Sequence, residues 1–316
     1  MIILTSITDL DLLVGPIVLA AGTFDGLHLG HQALIGRAMA EASRVNGTAV
    51  VLSFDRHPAS ITRPEMAPKL LTRNKTKLAI LEQMGVPVVL LLEFTAALAS
   101  ISAEAFIRSF PTSLHEICVG SQWSFGHRGA GNITLLKQLG GELGFTVASI
   151  LPVEIHGKPI SSTRIRAAIA LGDFKEASAC LGRNFRLIGK VVTGAGLGAT
   201  IEFPTANLDV EEMQVPPNGV YAVRVSQGLV KCNGVVNIGV RPTVDSLATK
   251  RIVEVHLLDF SENLVGEELA LEFIQFLRGE VKFPNLDALK AQIFKDCEQA
   301  KAILTLEKLH DLRHNA

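Results

Sequence analysis

Gly22-Thr23-Phe24-Asp25-Gly26-Leu27-His28-Leu29-Gly30-His31 is the stretch that decides the fold of the N-terminal half of this chain. The apolar run Ile17 to Ala21 leads into it, and Leu34, Ile35, Ala38, Met39 and Ala42 follow at helical spacing. Strand, glycine-rich turn and helix is the arrangement in which backbone N–H groups and a helix N-terminus hold phosphate. Gly22 and Gly26 allow a close backbone approach that a Cβ would hinder. His28 and His31 stand three residues apart where the helix is expected to begin, so both can face an anion over that end. The same spacing would suit a metal, but no carboxylate or cysteine cluster stands beside it to complete a site. A turn with only a structural role is the remaining reading.

Working outward, the 316 residues are enough for two domains with separate cores. Hydrophobic residues at 48% and a mean hydropathy of +0.33 supply those cores. A net charge of −1 and a pI near 6.8 offer no field to attract nucleic acid or an acidic membrane surface. No apolar run is long enough to span a bilayer. No lysine or arginine precedes Arg37, so neither a secretory leader nor an arginine-rich transit peptide is expected. Cys118, Cys180, Cys232 and Cys297 are scattered without CxxC spacing, which fits free thiols in a reducing cytoplasm. Oligomeric state leaves no mark in the sequence.

Up to about residue 182 strand and helix patterns alternate, as in a parallel α/β sheet. Strands are expected at Ile17–Ala21, Thr48–Phe54, Val86–Leu92, Glu116–Gly120 and Phe145–Pro152. Helices are expected at His31–Arg44, Asn74–Met84, Ser102–Arg108, Asn132–Leu143, Thr163–Leu171 and Phe174–Leu181. Around Gly182-Arg183-Asn184 the pattern changes to short strands without intervening helices, the mark of a small antiparallel barrel. Leu286, Leu289, Ile293, Cys297, Ala300 and Leu304 then recur at helical steps, predicting a long C-terminal helix packed on that barrel. The expected domains are residues 1–182 and 183–316.

The opening stretch resembles the (H/T)xGH signature of the nucleotidyltransferase superfamily, in the GxFDGxHxGH form of bacterial FAD synthetases. Ser161-Ser162-Thr163-Arg164-Ile165-Arg166 resembles a second motif of that family. Phe203-Pro204-Thr205-Ala206-Asn207-Leu208 is similar to the riboflavin kinase signature. Three motifs in the same order, over essentially the whole chain, identify it as a member of the bifunctional riboflavin kinase/FAD synthetase family. The resemblance implies an α/β fold: a Rossmann-like parallel-sheet nucleotidyltransferase domain, then a small antiparallel β-barrel with a C-terminal helix. It implies riboflavin, FMN and ATP as small-molecule substrates, Mg²⁺ as cofactor, and no nucleic-acid or membrane partner.

For adenylyl transfer, the resemblance makes His28 and His31 the donors that stabilise charge at the α-phosphate. Gly22, Thr23, Phe24, Asp25 and Gly26 form the ATP-binding loop. Asp25 reads either as a turn former or as a holder of hydrated Mg²⁺. Ser161, Ser162, Thr163, Arg164 and Arg166 offer hydroxyls, helix-start N–H groups and guanidiniums to the β- and γ-phosphates. His57 is placed near the flavin or ribose, with a structural histidine as the other reading. The family's GxDFxFG reads Gly120-Ser121-Gln122-Trp123-Ser124-Phe125-Gly126 in this chain. Gln122, Trp123, Phe125, Arg128 and Asn132 are therefore flavin candidates; Trp123 reads equally as a core residue.

For the kinase, Thr205 and Asn207 on an extended segment point the same way and can share one Mg²⁺. Glu254 matches the family's catalytic base, against the alternative of an outward strand residue. Arg278, Glu280 and Phe283 repeat the family's RxExxF pattern and are expected to border the flavin. Gly194, Gly196 and Gly198, with Pro204 and Thr205, make up the expected nucleotide loop. Two departures fall here: an arginine of the family pattern is Ala199 and a glycine is Glu202. A carboxylate ~5 Å from ATP, at an effective dielectric of about 20, costs roughly 3 kcal/mol per phosphate charge. The alternative is therefore an FAD synthetase with a weakened or inactive kinase domain; a flavin-binding module without catalysis is a further one.

Overall fold

In the computed structural model, which describes residues 1–193, 203–228, 230–242, 249–260 and 262–314, the chain divides into two compact units. Residues 1–164 and 180–182 form the first; residues 165–179 and 183–316 form the second.

The first unit is built on six parallel strands in the order β1-β4-β3-β2-β5-β6: β1 (Ile2–Leu4), β2 (Ile17–Ala21), β3 (Thr48–Phe54), β4 (Val88–Leu92), β5 (Leu114–Gly120) and β6 (Thr146–Ile150). All five residues of β2 are buried, because helices cover both faces of a parallel sheet. Val18 and Ala20 face α1 (Leu29–Arg44), whose Leu34, Ile35, Ala38 and Ala42 form one core. Leu19 and Ala21 face the other core, with Phe106, Ile107, Leu136 and Leu139. The remaining helices of this unit are α2 (Ala59–Thr62), α3 (Asn74–Gln83), α4 (Ala96–Ser100), α5 (Ala103–Arg108) and α6 (Ile133–Leu143).

The expected elements lie within a few residues of these. The fourth strand begins at Val88 rather than Val86, because Pro87 has no N–H for the ladder. The last sheet strand ends at Ile150, two residues short of the expected end. Pattern reading missed β1, the two short helices α2 and α4, and the hairpin of β7 (Glu154–Ile155) and β8 (Lys158–Pro159). That hairpin turns at His156 and Gly157, both at positive φ, with histidine where the Asn-Gly signal would make such a turn legible.

The second unit is a closed antiparallel barrel, β10-β13-β12-β11-β14-β9. Its strands are β9 (Arg186–Val192), β10 (Ala206–Asp209), β11 (Gly219–Gln227), β12 (Val230–Pro242), β13 (Thr249–Leu257) and β14 (Glu268–Arg278). Leu187, Val236, Ile238, Val253, Val255, Leu269 and Leu271 are buried, at alternating positions of their strands, as a filled small barrel requires. The C-terminal helix, α9 (Leu286–His314), lays Ile293, Cys297, Ala300 and Leu304 on the outer face formed by Val220, Ala222, Val235 and Leu258. Leu286, expected in that stripe, is exposed. Helix α7 (Ser162–Leu171) passes from the first unit into the second from Ile165 onward, and α8 (Phe174–Leu181) groups with the barrel up to Ala179. Phe174 stacks on Phe273 at 5.1 Å and on Phe185 at 6.2 Å.

Among the described residues no helix is long and apolar enough to cross a membrane. Cys118, Cys180, Cys232 and Cys297 are thiols, none of them in a disulfide.

Candidate functional site

In the first unit the strand order reverses around β2, with β3 and β4 on one side and β5 and β6 on the other. A crevice opens at the carboxyl ends of strands at such a switch point. Here it is a cleft of about 270 Å³ lined by the residues that follow β2, β5 and β6, among them Gly22, Thr23, Phe24, Gln122 and Trp123, with His28 and His31.

The loop from β2 to α1 is over-determined by its packing. Phe24 and Leu27 are fully buried and sit at φ of 51° and 42°. Left-handed non-glycine residues cost about 1 kcal/mol or more each and persist only where the surroundings fix them. A Cβ on Gly22 would meet the Phe24 ring at 3.1 Å, and Gly26 is at φ 85°. The Asp25 carboxylate, 6% exposed, accepts from Leu71 N (3.0 Å) and Thr72 N (3.0 Å). Gly26 N donates to Thr72 Oγ1 at 3.1 Å.

His28 is the N-cap of α1: its Nδ1 accepts from His31 N at 3.3 Å. That acceptor role places the proton of the neutral ring on Nε2. The two imidazoles stack with centroids 3.6 Å apart, and Phe24 meets His31 edge-on at 5.2 Å. Burial, then the neighbouring His28 and Lys77, hold the His31 pKa well below the ordinary imidazole value. His31 Nδ1 is buried without a hydrogen-bond partner. A neutral, desolvated ring at the head of a helix stabilises a phosphate oxygen by donating rather than by titrating.

The other expected residues of this half divide into two groups. Ser161 Oγ accepts from Arg164 N (3.2 Å) and caps α7, while Ser162 Oγ donates to Asp25 O at 2.9 Å, tying the helix start to the phosphate loop. Thr163 follows in the first turn and is exposed. Trp123 lines the cleft and stacks on Phe125 at 4.5 Å, and Phe125 is buried in the core. Outside the cleft lining, Arg164 donates to the carbonyls of Lys158 (2.6 Å), Pro159 (3.2 Å) and Ile155 (3.1 Å), bracing the β7–β8 hairpin. Arg166 lies in the part of α7 that groups with the second unit. His57 Nδ1 accepts from Ala59 N, Asn132 Oδ1 caps α6 through Leu135 N, and Arg128 is exposed at φ 54°.

In the barrel, Asn207 of β10 and Asn237 of β12 are the two register partners of Glu254 on β13. Val253 and Val255 point inward, so Glu254 belongs to the outer face, in a row with both asparagines. Thr205 stands two residues before Asn207 in the strand direction. Next to it, His256 Nδ1–H donates to Pro204 O at 2.8 Å and fixes the segment leading into β10. Glu280 reaches the same face, since a Cβ on Gly239, two residues from Asn237, would run into Glu280 Oε1. Arg278 is held by Asp296 (Nη2–Oδ2 2.7 Å) and lies over the Phe283 ring at 5.7 Å. Gly194, Gly196, Gly198, Ala199 and Glu202 lie outside the described residues. Pattern reading missed Lys77, Ser53 and His256, whose roles depend on partners distant in sequence.

One half carries a glycine loop and imidazoles at a sheet edge, the other amides and a carboxylate in register on one barrel face. That defines a two-unit nucleotide-dependent transferase. The FAD synthetase family model matches residues 14–164 and the riboflavin kinase family model residues 181–304. A bifunctional riboflavin kinase/FMN adenylyltransferase of Haemophilus influenzae is 38% identical over 90% of this chain and 93% of its own length. The protein of that name in Escherichia coli strain K12 is 37% identical over 92% and 94%. The chain belongs to the bifunctional riboflavin kinase/FMN adenylyltransferase family. A crystal structure titled macrolide-efflux protein, from Streptococcus pneumoniae, is also similar, with a TM-score of 0.77, 29% identity, and 95% and 98% of the two chains covered.

Proposed function

We propose that the chain makes FAD from riboflavin in two ATP-dependent steps, phosphorylation in residues 183–316 and adenylylation in residues 1–182. The stacked His28–His31 pair at the head of α1 carries the assignment of the second step. In the first step the riboflavin 5′-hydroxyl attacks the γ-phosphorus of ATP, ADP leaves, and Glu254 takes the proton. In the second an FMN phosphate oxygen attacks the α-phosphorus of another ATP and pyrophosphate leaves. His28 and His31 donate to the oxygens on which charge builds, and Trp123, on its Phe125 support, offers a face to the isoalloxazine ring.

The donor set of the barrel fits Mg²⁺. Among the described residues no group of three His, Cys, Asp or Glu could hold a metal. Mg²⁺ bound through substrate phosphates needs only one or two hard protein oxygens. Thr205 and Asn207 supply those, beside Glu254, and the ion would neutralise charge on the ATP phosphates. The four free thiols support a cytoplasmic location.

Incubation with ATP, Mg²⁺ and riboflavin, followed by chromatography of the flavins, tests the whole reading. FAD from riboflavin is expected; FAD only from supplied FMN would mean an inactive kinase. Asn207 and Glu254, in register on one face, with Thr205 just before that strand, favour the two-step reading over that alternative. His28→Ala and His31→Ala should each lower FMN adenylylation about tenfold or more and leave riboflavin phosphorylation nearly intact. Equal loss of both rates would refute the separation. Because Trp123 is the only tryptophan, FMN binding should quench its fluorescence.

A further inference from the structure

Lys77, in the first turns of α3, is 5% exposed, and its ammonium lies beneath the loop that carries the cleft. It donates to Ser53 Oγ (2.9 Å) and to Phe54 O (2.9 Å), both at the carboxyl end of β3, and reaches Thr23 O at 3.5 Å. Ser53, wholly buried, donates its single hydroxyl hydrogen bond to the same Thr23 carbonyl at 3.1 Å. The direction of that relay is forced: an ammonium only donates, so Ser53 accepts from Lys77 and has its own proton for Thr23. A neutral apolar side chain would leave the Ser53 hydroxyl free to rotate and the Thr23 carbonyl poorly held.

We propose that Lys77 is a positioning residue for adenylyl transfer, which fixes the Gly22–Gly26 loop through Ser53 and the Thr23 carbonyl and so sets the face that meets the phosphates. The proposal rests on the reading of the His28–His31 cleft as the adenylyltransferase site. Segment 71–77 supports that loop at three points: Leu71 and Thr72 N–H groups on Asp25, Thr72 Oγ1 on Gly26 N, and Lys77 on Thr23. Only the third brings a charged group from that segment, and burying an ammonium is expensive unless it is fully hydrogen-bonded. Burial pulls the Lys77 pKa down to about 8, and Asp25 and Asp55 are the anionic groups that favour the charged form. Its charge also acts on His31, where it adds to burial and His28 in keeping that ring neutral. The ammonium thus holds the loop and adds to the burial that keeps His31 neutral.

The test is Lys77→Met in the full-length protein, with both reactions measured. FMN adenylylation should lose about tenfold or more in kcat, while the KM values for FMN and ATP stay within about threefold and riboflavin phosphorylation within about twofold. A kcat within about twofold of wild type, or a rise in KM with kcat kept, overturns the proposal. Should Lys77→Met lack a cooperative transition for the first unit, Lys77→Gln, which retains a donor without the charge, takes its place under the same criteria. If neither variant folds, Lys77 is a strut of the fold and the proposal fails. Adenylylation that survives His28→Ala and His31→Ala would instead remove the site reading, whatever Lys77 does.

Discussion

The Asp25 carboxylate accepts from two main-chain N–H groups, Leu71 and Thr72. Asp25→Ala leaves both donors unsatisfied in a buried place, so it should cost about 1–3 kcal/mol of stability. Adenylylation should fall with it, because the loop loses an anchor, while the Mg²⁺ concentration giving half-maximal rate stays unchanged. Denaturant midpoints and an Mg²⁺ titration check this, and a raised Mg²⁺ requirement with stability intact would mean that Asp25 holds the metal instead. The partners of Asp25 lie 46 and 47 residues away in sequence, and this separation limits what single residues reveal. Spacing is enough to bring His28 and His31 together at a helix start. It does not disclose that the first caps the helix and stacks on the second, nor that Asn132 is a cap and Arg164 a brace. Lys77 is the extreme case, since a lone lysine on a short helix reads as a solvated one.

At the scale of elements, the C-terminal end of α1 is tied to β5 by Glu41, whose carboxylate meets His115 Nε2 of β5 at 3.4 Å and takes Arg44 Nη2 at 2.6 Å and Arg37 Nη1 at 3.3 Å on its own helix. Arg37 also reaches Glu116 on β5 at 3.2 Å, so the helix that carries His28 and His31 is fixed at its far end. Hydrogen bonding from Arg44 first, with His115 and both arginines adding, holds the Glu41 pKa down at about 2, against an unfolded value of about 4.5. A group whose folded pKa is depressed stabilises fully above its unfolded pKa and loses that contribution as pH falls through the folded one. Glu41→Gln should therefore lower Tm at pH 7, and the gap to wild type should narrow as pH falls from about 4.5 to about 2. A gap that is constant with pH would show packing rather than charge at work. Elements of this kind are the legible part of the fold: β2, α1 and β3 follow from runs and periods confined to their own sequence. The β7–β8 hairpin and β10, with two and four residues, carry too few side chains for any period to show.

At the scale of the whole molecule, the change from α/β to all-β pattern near Arg183 marks where strands begin, not where the barrel's core ends. Phe174 stacks on Phe273 and Phe185 and meets Tyr221 edge-on at 5.9 Å, and Tyr221 is 1% exposed. Ser178 Oγ accepts from Phe185 N at 3.2 Å, and Ala177 is fully buried. Residues 165–179 thus behave as part of the barrel unit although their period is helical, because one aromatic side chain ties them to its core. A fragment that starts at Arg183 would expose the rings that Phe174 covers. Losing a fully buried phenylalanine costs about 3–5 kcal/mol, and the half-buried Phe174 contributes less. A fragment of residues 165–316 should therefore unfold cooperatively with a stability roughly 2–4 kcal/mol above that of residues 183–316, measured by urea denaturation of the two. The longer fragment should phosphorylate riboflavin and make no FAD, since His28 and His31 are absent from it. Equal urea midpoints would show that the helices merely lean on the barrel. FAD formation by the fragment would overturn the assignment of adenylyl transfer to the first 182 residues.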